Sequence, residues 1–221
     1  MNYSPKGMYV WDAWHMPGPD KKLHTYHLQR ARSADFAKTE DLFGHAATSD
    51  LINWEERPAC LGPDPANADD NIQPWTGCAL WHEGRGYLYY TMRGSCSSGM
   101  KQHIGLALAE NPDSWTRYSC NPVITPDPAM YATAERPVKG IVDCRDMIIV
   151  KDPEGEGWYG FFATRQPAKT LLESSVIACA RSTDLIHWKQ LPPAFATNRY
   201  ACVEVPDVFQ LNGRWYMTCL T

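Results

Sequence analysis

Long apolar runs are missing from this 221-residue chain. No stretch approaches the ~20 residues that cross a bilayer, and the opening Met1-Asn2-Tyr3-Ser4-Pro5-Lys6-Gly7 lacks the charged-then-apolar order of an export signal. The expectation is a cytoplasmic protein with no membrane partner. Clustered positive charge is missing too: 21 Lys and Arg are scattered among 25 Asp and Glu for a net charge of −4, so nucleic acid is not an expected partner. The eight cysteines (60, 78, 96, 120, 144, 179, 202 and 219) include no pair spaced by two residues and no His at zinc spacing. No metal or cofactor is expected, and the thiols read as small apolar groups in a reducing compartment. A sustained helical period is also absent, and 17 Pro with 15 Gly would interrupt most attempts at one.

What remains is strand. Aromatic and β-branched runs such as Leu23 to Leu28, Tyr87 to Thr91, Trp158 to Phe162 and Trp215 to Leu220 are bounded by turn formers, for example Glu83-Gly84-Arg85-Gly86 and Leu211-Asn212-Gly213-Arg214. A second phrase recurs: Ala47-Thr48-Ser49-Asp50-Leu51-Ile52-Asn53-Trp54 returns as Ala180-Arg181-Ser182-Thr183-Asp184-Leu185-Ile186-His187-Trp188, with a weaker copy ending at Trp115. Repetition of this kind marks an array of similar units. Four-stranded antiparallel units fit the blades of a β-propeller, whose radial packing protects sheet edges. Trp54, Trp115 and Trp188 are expected to be structural.

Three acidic segments precede strand runs: Trp11-Asp12-Ala13-Trp14, Arg145-Asp146-Met147 and Glu204-Val205-Pro206-Asp207. They read as occupying the same place on the innermost strand of three blades, which would bring distant carboxylates together at the hub. The intervening copy, Thr76-Gly77-Cys78-Ala79-Leu80-Trp81, carries no acid there and reads as structural.

On these residues the chain resembles the five-bladed propeller glycoside hydrolases, the β-fructosidase superfamily of families 32, 43 and 68. Trp11-Asp12-Ala13-Trp14 is similar to the levansucrase-type nucleophile motif, Arg145-Asp146 to the family's Arg-Asp pair, Glu204-Val205-Pro206-Asp207 to its Glu-Cys-Pro-Asp motif, and Trp75-Thr76-Gly77 to its Trp-Ser-Gly phrase. Met147 stands where the fructosidases usually have Pro, Val205 replaces Cys, and the Asn-Asp-Pro form of the first motif is absent. The resemblance implies an all-β five-bladed propeller that residues 1–221 fill only in part, about three and a half blades. A truncated chain, or blades supplied from elsewhere, is the expectation, with self-association through exposed blade edges as one consequence.

The resemblance also implies hydrolysis of a glycosidic bond, fructosides first and arabinosides or xylosides next. Asp12 is then the nucleophile, Glu204 the general acid, and Asp146 the group that positions sugar hydroxyls. Crowded carboxylates should raise the pKa of one of them, which would suit Glu204. Arg145 is expected to keep its neighbour ionised and to orient hydroxyls. Trp11, Trp14 and Trp75 flank the expected funnel, where an indole can stack on a sugar face, and His15 adjoins it. Asp143 and Asp207 read as supporting rather than reacting groups. Fructosyl transfer, phosphorolysis and sugar binding without chemistry remain open on the same architecture.

Overall fold

The computed structural model describes residues 3–32 and 42–221. Strands β1 (Met8–Pro17), β2 (Leu23–Ala31), β3 (Leu42–Thr48) and β4 (Glu55–Leu61) form one antiparallel sheet in sequence order. Strands β5 (Trp75–His82), β6 (Arg85–Arg93), β7 (Gln102–Asn111) and β8 (Ser114–Arg117) form a second in the same order. The third contains β9 (Cys144–Lys151), β10 (Trp158–Arg165), β11 (Ser175–Ser182) and β12 (Lys189–Ala196), with the single-turn helix α1 (Leu171–Ser174) before β11. Last comes the hairpin β13 (Glu204–Leu211) and β14 (Arg214–Leu220). The first strands touch in the order β1, β5, β9, β13, so the sheets stand side by side about one channel. This is the expected run of blades, three whole and half of a fourth.

Apolar residues from neighbouring blades are buried against each other. Trp14, Tyr26 and Phe43 of the first blade join Leu88, Tyr90 and Trp115 of the second. Tyr89, Ile104 and Leu106 of the second join Met147, Phe162 and Val176 of the third. A smaller cluster of Ala163, Ile177 and Val203 carries Met217 of the hairpin. Each fully buried large side chain contributes about 1.5–3 kcal/mol. Specific bonds fix how the blades meet: the Tyr26 hydroxyl donates to the Pro112 carbonyl at 3.0 Å, and the Tyr89 hydroxyl donates to the Leu185 carbonyl.

The repeated phrase is a double turn. In the third blade the Ser182 hydroxyl accepts the amides of Asp184 and Leu185 at 3.2 and 2.9 Å, and Asp184 Oδ1 accepts those of Ile186 and His187 at 2.9 and 2.8 Å. Thr48 and Asp50 make the same four bonds in the first blade. Leu51 and Leu185 sit at the same left-handed φ, 62° and 64°. The phrase recurs because a short hydroxyl and a carboxylate two residues later satisfy the amides of a tight corner.

The two copies differ in surroundings: Leu185 is 1% exposed beneath Tyr89, whereas Leu51 is 62% exposed. Replacing Ser182 by Ala is therefore expected to cost about 1–3 kcal/mol, because it strands the buried Leu185 amide at an interblade contact. Thr48→Ala should cost distinctly less, because the Leu51 corner is open to water. Urea unfolding of the two variants checks this, and equal losses would contradict the role given to the interface.

Candidate active site

Each innermost strand carries a β-bulge near its start. In β1, Val10 pairs with Gln29 and Ala13 with His27, so Trp11 and Asp12 face one residue. Thr76 and Gly77 do so in β5, Asp146 and Met147 in β9, Val205 and Pro206 in β13. A bulge re-aims side chains and ends regular pairing. Gly77 is required at its bulge, since a Cβ there would lie 1.8 Å from the Tyr89 carbonyl oxygen.

The bulges correct one expectation. The three acids do not share a position: Asp12 is the second bulge residue of its strand, Asp146 the first, and Glu204 the residue before the bulge. Equivalent backbone sites thus present different side chains, and the three carboxylates reach the hub from staggered points.

They do reach it together. A cavity of about 200 Å³ is lined by Trp11, Asp12, Trp75, Thr76, Arg145, Asp146 and Glu204. The Thr76 hydroxyl donates to Asp12 Oδ2. The Thr76 carbonyl accepts from the Thr91 hydroxyl at 2.9 Å, and Thr91 Oγ1 accepts the Asp146 amide at 3.1 Å. Asp146 Oδ2 accepts the Val205 amide at 3.1 Å. Arg145 donates to Glu204 Oε2 through Nε at 3.2 Å and Nη2 at 2.9 Å. Its guanidinium also lies 3.4 Å from Asp146 Oδ2 and 2.5 Å from Asp143 Oδ1. Four blades are therefore tied to one another across the site.

Two backbone outliers sit in this network. Asp146 has φ of 58° and Val205 of 47°. Asp tolerates the left-handed region, but a β-branched residue before Pro does not, and such conformations cost about 1–3 kcal/mol each. The strain is held because the Val205 amide is aimed at the Asp146 carboxylate.

Burial, first, pushes the Asp146 carboxyl up to about 7; Arg145 opposes the rise, and Glu204 and Asp12 add to it. Asp146 is 5% exposed, so its carboxyl bears most of the burial cost at the hub. Burial alone would lower the pKa of Arg145, but Asp143 and Asp146 outweigh it and hold the guanidinium charged. Cys202 accepts from Arg145 Nη2 at 2.8 Å and lies 3.4 Å from Glu204 Oε2. Burial pushes this thiol up to about 11, so it is a neutral neighbour and not a nucleophile.

The aromatic candidates separate. Trp11, 38% exposed, and Trp75 line the acid cavity, and the Arg93 guanidinium covers one face of Trp75 at 3.6 Å from its centroid. Trp14 does not line it: its ring is 6% exposed and packs edge-on against Phe43 at 4.9 Å. It packs mainly in the core, since the bulge turns Asp12 into the channel and leaves Trp14 facing the neighbouring blade, and only its edge borders a second cavity that His15 also lines. His15 also lies apart, bonded to the Thr25 hydroxyl at 2.9 Å and bordering a larger cavity of about 440 Å³ further along the channel. Burial lowers its pKa. Asp207 borders that second cavity, and Thr76 and Asp146 belong to both. Met147 fills the space over Gly160, whose missing side chain admits it.

Thr76 was missed by the sequence reading, which took its blade as structural for want of an acid. The signal was the Trp75-Thr76-Gly77 phrase itself, a hydroxyl at the position where Asp146 stands in the third blade. Among the described residues, no group of three or more His, Cys, Asp or Glu could hold a metal ion.

Residues 18–220 match the sequence model of the glycosyl hydrolases family 32 N-terminal domain. The chain belongs to this family. The match begins after the Asp12 segment. A bifunctional fructosyltransferase of Allium cepa is 35% identical over 120 residues, covering 51% of this chain and 19% of its own length. The sucrose-6-phosphate hydrolase of Escherichia coli is 26% identical over 182 residues, 79% of this chain and 34% of its own. Among solved structures, a Bombyx mori family 32 β-fructofuranosidase superposes with a TM-score of 0.73 at 20% identity, covering 95% of this chain and 41% of that one. A thermostable family 43 glycoside hydrolase superposes with a TM-score of 0.70 at 17% identity, over 96% and 64%. The chain spans about a fifth to a third of these curated relatives.

The Asp146 environment has a pH consequence. A carboxyl near 7 when folded, against 3.8 ordinarily, binds its proton more tightly in the folded state, so the folded state holds the extra proton between these values. That contribution to stability is complete below about pH 4 and is lost as pH rises towards 7. The stability of the wild type relative to Asp146→Asn, which cannot ionise there, should fall across this window and level off above it. Thermal unfolding in small pH steps tests it, and a pH-independent difference would rule it out.

Proposed function

We propose that the protein carrying this chain cleaves a β-fructofuranosidic bond, with Asp12 attacking the anomeric carbon and Glu204 protonating the departing oxygen. The observation that carries this reading is the shared cavity: Asp12, Asp146 and Glu204 come from three blades and line one space with two indoles. Glycosidic cleavage needs two carboxyl groups about an oxocarbenium-like centre, one as acid and one as nucleophile or base. Thr76 holds Asp12 in place through its hydroxyl, and Arg145 holds Glu204. Asp146 is anchored at Oδ2 by the Val205 amide and, like a buried carboxyl in other sugar sites, is suited to accept hydroxyls of the bound sugar. Trp11 and Trp75 offer flat apolar surface to the sugar ring.

The fate of the fructosyl group after cleavage divides two readings. With water as acceptor the protein is a hydrolase; with a second sugar it is a fructosyltransferase. The Allium cepa relative, 35% identical, carries the second activity in its name, so transfer stands beside hydrolysis. Sucrose, inulin, levan and aryl arabinosides and xylosides, offered to the full-length protein with product analysis, separate the two readings and the sugar classes.

Asp12→Asn and Glu204→Gln should each lower turnover of sucrose-like substrates by at least about 10³-fold, the scale at which loss of a catalytic group is felt. Unchanged release by either variant would remove that residue from its role. Thr76→Val should lower kcat about 10- to 100-fold with little change in KM, since it frees Asp12 without removing it. An effect confined to KM would instead make Thr76 a substrate contact.

A further inference from the structure

Glu204 stands at the first residue of β13, in a sheet of only two strands, and its side chain is 40% exposed. Its position must be set from outside that sheet. The third blade supplies what sets it: Arg145 reaches Glu204 from β9, and Asp143 lies behind Arg145 with Oδ1 2.5 Å from Nη1. Asp143 Oδ2 lies 2.5 Å from Nε of Arg165, at the end of β10. Arg165 in turn donates through Nη1 to the Ala201 carbonyl at 2.8 Å and to the Ser174 hydroxyl at 3.1 Å. Ala201 lies on the segment that leads into Glu204, and the Val203 amide on the same segment donates to the Ser175 hydroxyl at 2.7 Å.

Asp143, Arg145 and Arg165 are 5%, 7% and 4% exposed. Charges so buried are uneconomical unless each meets its opposite, and here the signs alternate from Arg165 through Asp143 and Arg145 to Glu204. An arginine stem has many rotamers, and one contact at its tip does not fix it. Arg145 is fixed by a second side, because Asp143 and the Gln102 side-chain oxygen Oε1, 3.2 Å away, both occupy Nη1 while Glu204 takes Nε and Nη2. Arg165 pairs with Asp143 by charge, its Nε not being aligned for a hydrogen bond, and it donates to the backbone ahead of Glu204, so the acid and its cation are held by one frame.

Resting on the reading of Glu204 as the acid, we propose that Asp143 and Arg165 are positioning residues for proton donation, acting through Arg145 and the Ala201 carbonyl. They touch no substrate. Their loss should therefore fall on substrates whose leaving oxygen needs the proton and spare those whose leaving group departs without it.

The experiment compares the full-length wild type, Asp143→Asn, Arg165→Lys and Glu204→Gln on sucrose and on an aryl fructoside with a nitrophenolate leaving group. Asp143→Asn should lower kcat on sucrose about 100-fold, the scale of an approximately 1 Å misplacement, with KM nearly unchanged and the aryl substrate affected much less. Arg165→Lys, which keeps the charge but loses the fork, should show the same selectivity at smaller size, and it serves if Asp143→Asn does not fold. Equal loss on both substrates would overturn the proposal, since general damage to the fold does not distinguish leaving groups. If Glu204→Gln itself lacks the selectivity, the reading of the acid has failed and not the brace. A crystal structure of either brace variant then decides: the Arg145–Glu204 contact of 2.9 Å displaced by more than about 0.5 Å supports the brace, and an unmoved contact refutes it.

Discussion

One buried cation organises this site. Arg145 lies within ion-pair reach of Asp143, Asp146 and Glu204, at 2.5, 3.4 and 2.9 Å. Carboxylates gathered in this way repel one another, and burying Asp143 and Asp146 without compensation would cost several kcal/mol per ion. The guanidinium offsets this with donors in a fixed fork that can serve several oxygens at once, which a lysine could not do from one point. Compensation is incomplete at Asp146, which burial still pushes up to about 7. A carboxyl so placed gains or loses its proton near neutrality.

The bulges explain how a repeated scaffold makes an unrepeated site. Every innermost strand has its irregularity at the same place, yet the acid falls on the residue before it in β13, on its first residue in β9 and on its second in β1. A strict repeat would put like side chains in a ring, with like charges opposed. Staggering puts a carboxylate, a hydroxyl and a guanidinium beside one another, so that Thr76 meets Asp12 and Arg145 meets Glu204. The left-handed φ values at Asp146 and Val205 are part of the same device, because only that backbone turn aims the Val205 amide at Asp146.

What could be read from the sequence follows from what is periodic. Strand and turn chemistry recurs, so the blades and the recurrence of the phrases around Asp50 and Asp184 were legible before any coordinates, although the double turn that each phrase forms was not. The convergence of positions 12, 146 and 204 was legible because motif order and blade spacing together leave few alternatives. What depended on single-residue register was not. The assumption that the acids share one position failed at the bulges, which shift register without a mark in composition. It also hid that Trp14 stands apart from the acid cavity, packed against Phe43 and bordering only the larger cavity. Thr76 was overlooked because a neutral hydroxyl does not stand out beside acids. The rise at Asp146 was not foreseen, because crowding is visible in sequence whereas burial, the larger cause there, is a property of packing.

The same local sequence can therefore lead to different energetics, as the two double turns show most directly. Leu51 and Leu185 have the same conformation and the same bonded corner, but only Leu185 has a blade against it. Apolar exposure is concentrated at the two flanks of the array: Leu51 and Ile52 on the first blade, Leu211, Trp215 and Leu220 on the hairpin. In stacked repeats, stability is close to a sum of unit and neighbour terms, so these flanks have the chemistry of an interblade contact without its gain. The acid site lies between the flanks and rests on the three interblade clusters that are formed. Asp12, Thr76, Arg145 and their partners are consequently fixed by contacts internal to residues 3–32 and 42–221, while the hairpin that carries Glu204 has the fewest apolar neighbours of its own. That imbalance is why the ionic frame from the third blade matters: where packing is thinnest, directed charge contacts must set the geometry of the acid.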